Sequence, residues 1–143
     1  MELKRAANYS SSFSLLIVVF ISSLASPIIY VDKFSIETIV KNLLDNALFY
    51  GTEDTDIVAS MANDDEGNVI LAIKNTTSNK LTQENLDNLF KPLYQVDSSR
   101  THTDRHGLGL SIVKNVAQLN GYDLSVDYNE EQVITFSVVI GQG

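Results

Sequence analysis

The chain has no cysteine, which excludes disulfides and thiolate-held metal and fits a reducing compartment. Basic residues are scarce: 10 lysines and arginines stand against 18 aspartates and glutamates, for a formal net charge of −8. Such a field repels nucleic acid and anionic membrane surfaces. An anionic ligand must therefore be held by local devices: backbone amides, a helix N-terminus or a bound cation. There is no histidine before His102, and there is no internal repeat.

What is present suffices for one folding unit, since 143 residues at 44% hydrophobic and 20% charged are enough for one core and too few for two ordinary domains. Residues 13–31, FSLLIVVFISSLASPIIYV, carry no charge and follow Lys4 and Arg5. The run is about as long as a membrane span, so a membrane or export segment is one reading. A second is a pair of buried strands, LLIVVFI and IIYV, divided by serines and Pro27, and a third is an artefact of cloning or gene prediction. On the second reading residues 1–14 are an N-terminal tail, residues 15–143 form the domain, and the start so close to a first strand marks a truncated chain.

Asp32 is placed to cap a helix from Phe34 to Tyr50, with Ile36, Ile39, Val40, Leu43, Leu44 and Ala47 at helical spacing and all of these but Ile39 read as core-facing. TDIVASMA and NVILAIK flank the polar turn NDDEG as a hairpin whose second strand ends at Lys74. A short helix follows from Thr82 to Phe90, where Pro92 stops it. Residues 95–106, QVDSSRTHTDRH, lack any apolar pattern and read as a mobile loop. Gly107 and Gly109 open a helix over SIVKNVAQLN with Ile112, Val113, Val116 and Leu119 inward, and Gly121 closes it. YDLSVDY and QVITFSVVI then pair around NEE. The implied class is α+β: a two-layer sandwich with a mixed sheet of about five strands or more, covered on one face by three helices.

Two stretches carry chemistry. In KNLLDNALFYG, Asn42 and Asn46 share a strip on the flank of the helix, with Phe49 and Tyr50 beside it. Asparagine is a mediocre helix former. Its amide oxygen is a hard ligand suited to magnesium, which is usually completed by water and phosphate oxygens. In HGLGLSIVKN, glycines directly precede a helix and let backbone amides approach an anion closely. Taken singly, each is equally an ordinary feature, a polar helix face or a glycine-rich helix entry.

Together and in order they resemble a family. NLLDNALFYG resembles the N box of the ATPase domain shared by sensor histidine kinases, gyrase-type topoisomerases, heat-shock chaperones and mismatch-repair proteins. LFKPLYQVDSSR resembles the F box of histidine kinases, and HGLGLSIVKNVAQLNGYDLSV their second glycine box. The resemblance runs from Ile28 to Ile140 and implies the Bergerat-type ATP-binding fold. It implies ATP and magnesium as ligands, with Asn46 on the metal and Asn42 supporting it near the phosphates. Tyr50 would line the adenine and Asn75 would accept its amino group. Phe90 would anchor the lid hinge, and the lid itself would run from Asp97 to His106. Arg105 and His106 at its end, with Gly107, Leu108, Gly109 and Leu110, would surround the phosphates. Thr135 would close the adenine pocket.

The implied activity is transfer of the ATP γ-phosphoryl group to a histidine on a separate dimerising hairpin, with a response regulator downstream. No residue of the chain is assigned a catalytic role. The implied location is the cytoplasm, with the membrane reached only through a sensor part elsewhere or, less simply, through residues 13–31. The chain departs from the family pattern at several positions. Its first glycine box reads NTTSN, Phe49 stands at a position usually basic, Gln95 replaces an arginine of the F box, and Arg105 replaces a glycine. A second function is therefore kept open, a kinase-like domain serving as a regulatory binding module.

Overall fold

A computed structural model of the protein describes residues 2–6, 17–21, 31–52, 54–96 and 109–142. The elements are β1 (Glu2–Ala6), β2 (Ile17–Ile21), α1 (Lys33–Tyr50), β3 (Ile57–Asn63), β4 (Asn68–Thr76), α2 (Gln83–Asn88), α3 (Gly109–Leu119), β5 (Asp123–Tyr128) and β6 (Val133–Gln142). The six strands form one sheet in the order β1-β2-β3-β4-β6-β5. All neighbours are antiparallel except β2 and β3, which run parallel because a helix separates them along the chain.

The period-two alternation of β4 sorts the sheet into two faces. Val69, Leu71 and Ile73 are buried while Lys74 is exposed. Across the ladder Leu71 meets Val138 and Ile73 meets Phe136, so β6 buries the same face. Ile39, Leu43 and Ala47 of α1 and Leu110 and Val113 of α3 join this core, and Leu86, Leu89 and Phe90 pack against its edge. The opposite face carries exposed Lys74, Asp123, Ser125 and Asp127.

Local chemistry sets the element ends. The Asp32 side chain accepts from Ser35 N at 3.0 Å and caps α1. Thr82 and Asn85 form a reciprocal capping box on α2. Gly121, at φ 72°, takes the left-handed conformation that ends α3. In the β3–β4 turn, the Asp64 carboxylate accepts from Asn68 and from the Glu66 amide, which holds its pKa below the ordinary value. The mixed sheet and the three helices covering one face agree with the expected class.

Several expectations change. Glu2–Ala6 forms a strand within the span read as a tail. The LLIVVFI strand is Ile17–Ile21, while most of IIYV lies outside the described residues. β4 does not stop at Lys74 but continues to Thr76, because β6 offers partners that far. The inward stripe of α1 centres on Ile39, Leu43 and Ala47, leaving Ile36, Val40 and Leu44 only half-buried. On α3, Leu110, Val113 and Ala117 form the buried face at helical spacing, so Ile112 and Leu119 point outward, the latter 86% exposed. Among the described residues no helix is long and apolar enough to cross a membrane.

Leu43 is fully buried where α1 meets the core. Leu43→Ala is expected to destabilise the domain by about 2–5 kcal/mol in urea unfolding. A loss below about 0.5 kcal/mol would contradict this packing.

Candidate functional site

α1 and α3 lie antiparallel. Near the start of α1 the Asn120 amide donates to Ser35 Oγ at 3.0 Å, tying it to the end of α3. There burial, and then the Asp32 carboxylate, push the Tyr122 hydroxyl pKa upward. At the other end, a Cβ added to Gly109 would stand 3.3 Å from Asn42 Oδ1. The first residue of α3 therefore rests against the asparagine strip of α1, and α1 continues past this crossing to Tyr50.

This arrangement has direct electrostatic consequences. The first amides of a helix have no intrahelical acceptor and carry its positive dipole end. Those of α3 begin beside Asn42, whose own amide donates to Thr38 O at 2.8 Å and so leaves Oδ1 turned toward the junction. Asn46 lies one turn further along the same strip and is half-buried. Among the described residues no three acidic or histidine side chains converge. A divalent cation here would thus draw most of its ligands from water and phosphate oxygens.

The second part of the site comes from the extension of β4. The alternation that buries Val69, Leu71 and Ile73 also buries Asn75, at 3% exposure. Its Nδ2 donates to Thr76 O at a long 3.3 Å, and its Oδ1 has no partner among the described residues. A buried acceptor left unpaired costs about 1–3 kcal/mol. Beside it, α1 ends at Gly51, where a Cβ would fall 2.5 Å from Ala47 O and 3.4 Å from Asn75 Nδ2. The Thr52 amide donates to Thr76 O at 3.0 Å and the Ser78 amide to Tyr50 O at 2.9 Å. The end of α1 is thereby stitched to the strand that carries Asn75. Tyr50 is half-buried there, set edge-on to Phe49 with ring centroids 4.7 Å apart.

The NTTSN segment is not an open glycine loop. Thr77 is buried; its amide donates to Gln132 O at 2.8 Å, and Gln132 Nε2 returns a bond to Thr77 O at 3.0 Å. The Leu81 amide donates to the Tyr128 hydroxyl at 3.0 Å. These partners lie far apart in sequence, and no spacing signal marks them. Phe90 packs edge-on against core Phe136 at 6.0 Å, an anchor for the chain leading toward the expected lid. Nearby Leu93 is exposed with φ 67°, a left-handed conformation that is uncommon for leucine.

The structure thus gathers Asn42, Asn46, Tyr50, Asn75 and Gly109 around the second half of α1. Two expected site residues are placed elsewhere. Leu110 is turned into the core. Thr135 pairs with Lys74 and Asp127, which puts it on the opposite face of the sheet from Asn75; the β6 neighbour of Asn75 is Ile134. A one-residue offset in a strand reverses the face. Arg105, His106, Gly107 and Leu108, with the rest of the expected lid, lie outside the described residues.

Residues 31–142 match the family described as histidine kinase-, DNA gyrase B-, and HSP90-like ATPase. The chain is similar to the sensor protein VanSC of Enterococcus gallinarum, 32% identical over 105 residues that make up 73% of this chain and 28% of that relative. Its fold matches the mycobacterial sensor histidine kinase MprB with a TM-score of 0.69 at 21% identity, covering 88% of this chain and 83% of that one. It also matches full-length ShkA in complex with AMPPNP, with a TM-score of 0.66 at 22% identity over 87% of this chain and 26% of that one. The chain spans less than a third of the length of VanSC or ShkA.

Gly51→Ala is expected to lower stability by about 1–3 kcal/mol, because the new methyl group meets a backbone carbonyl that cannot yield cheaply. An unchanged urea midpoint would show that the Ala47 carbonyl does not lie this close to Gly51.

Proposed function

Because residues 31–142 make the chain a member of the histidine kinase-, DNA gyrase B- and HSP90-like ATPase family, we propose that it works as the ATP-binding catalytic domain of a two-component sensor histidine kinase. It transfers the γ-phosphoryl group of ATP to a histidine supplied by a separate dimerisation domain, and a response regulator receives the group next. The site of action is the cytoplasm. The observation that carries this reading is the buried, unpartnered Asn75 Oδ1 at one end of a site whose other end is the start of α3 against Asn42.

Each residue has a distinct task. Asn75 Oδ1 accepts from the amino group of the base, which relieves its own unpaired burial. Tyr50 lines the base, while Asn42 braces the junction with α3. The backbone amides at the start of α3 bind phosphate oxygens, a device that a chain of net charge −8 needs. Asn46 would contribute an amide oxygen to a magnesium ion, which when bound would neutralise phosphate charge. By the family resemblance, Arg105, His106, Gly107 and Leu108 would complete the phosphate end. Catalysis on this account is positioning and charge neutralisation, with the partner's histidine attacking in line.

A second reading, a regulatory binding module on the same fold, is favoured by the pinning of NTTSN through Thr77 and Gln132. Calorimetry with ATP and magnesium separates the two. Affinity on the order of micromolar supports the kinase domain, and affinity on the order of millimolar or weaker supports the module.

Asn46→Ala is expected to weaken magnesium-dependent ATP binding by at least about tenfold, with the unfolding midpoint little changed. Equal affinity in the variant and the parent would remove Asn46 from the metal site.

A further inference from the structure

We infer that Asn75 makes the base end of this site a weak discriminator between 6-amino and 6-oxo purines. The inference rests on the nucleotide-binding reading above and goes beyond it in naming the range of bases accepted.

A carboxylate at this position could only accept hydrogen bonds. It would welcome the amino group of adenine and repel the carbonyl oxygen of a 6-oxo purine. A carboxamide carries one acceptor and one donor group. In one orientation it complements the amino group and N1 acceptor of adenine. Turned over, it complements the O6 acceptor and N1–H donor of hypoxanthine. The breadth of the site is therefore set by how firmly the amide is locked.

The lock is weak. Among the described residues Asn75 Nδ2 is held by Thr76 O alone, at 3.3 Å. That carbonyl already accepts the shorter 3.0 Å bond from the Thr52 amide, so the side-chain bond is the second on one oxygen. Asn75 Oδ1 has no partner among the described residues to resist a turn. Thr76 itself cannot follow a rotating side chain, being the last residue of β4 with Thr77 bound to Gln132 beyond it. Turning the amide over forfeits this one long hydrogen bond, worth about tenfold in affinity, once Oδ1 swings clear of Thr76 O, since two acceptors cannot face each other there. A site whose polar group cannot adapt rejects the wrong partner by far more than this. As a neutral group, Asn75 is also buried without the penalty that burying a carboxylate would carry.

The test is calorimetric titration of the full chain with ATP and with inosine triphosphate, each with magnesium. Inosine triphosphate supplies the 6-oxo edge without the 2-amino group of guanine. The parent chain should bind the two within about tenfold of each other. Asn75→Asp should widen the gap by at least about another tenfold, chiefly by weakening inosine triphosphate. Should Asn75→Asp fail to fold, as judged by circular dichroism, Asn75→Ala serves instead: both nucleotides should weaken and the preference should vanish. A parent preference for ATP above about a hundredfold would overturn the inference while leaving the nucleotide site standing. So would a preference unchanged in either variant. Binding of neither nucleotide by the parent would overturn the nucleotide-binding reading, and the inference with it.

Discussion

The strict two-residue period of β4 is the constraint on which this domain turns. β4 pairs with β3 on one side and β6 on the other, so its alternation is imposed on the whole helix-facing side of the sheet. Val69, Leu71 and Ile73 use that period to build the core, and the same period carries Asn75 into the interior two residues later. An apolar residue there would leave no side-chain polar group to satisfy. Asparagine instead leaves a buried acceptor unpaired at about 1–3 kcal/mol, a local conflict of the kind that marks a binding position.

The rest of the site is arranged relative to that point by the helices. α1 spans the distance: its Asn42 meets the first residue of α3, and its last turn is bonded to the strand end next to Asn75. The Ser35–Asn120 contact at the far end fixes the two helices against each other, which keeps the amides at the start of α3 aimed at the same junction. The proposed phosphate end and the proposed base end are thus joined by a single rigid element, the geometry that a ligand with a charged tail and a flat ring requires. Positioning by rigid elements is what phosphoryl transfer chiefly asks of a protein.

Much of this was legible in the sequence. Asp32 as the cap of α1, the asparagine strip, the two C-terminal strands and the glycine opening of α3 follow from local rules that tertiary packing left intact. The errors share one cause, the side to which a residue turns. Ile112 and Leu119 fit a helical apolar pattern, yet α3 buries Leu110, Val113 and Ala117, a choice made by where α1 and the sheet stand. Thr135 sits one residue from Ile134 and so on the wrong face, and only the ladder to β4 fixes that register. The Thr77–Gln132 clamp joins residues 55 apart in sequence, beyond the reach of any local signal. Asn75 was identified by resemblance, but its burial could not be foreseen while β4 was expected to end at Lys74.

The central claim is that one nucleotide engages both Asn75 and the start of α3 at once. Its most direct measurement is an NMR titration of the isotopically labelled chain with ATP and magnesium, following the side-chain amide of Asn75 and the backbone amide of Gly109. The account predicts that both signals shift together along one saturating curve. Saturable shifts elsewhere in the domain, with these two amides unmoved, would contradict it.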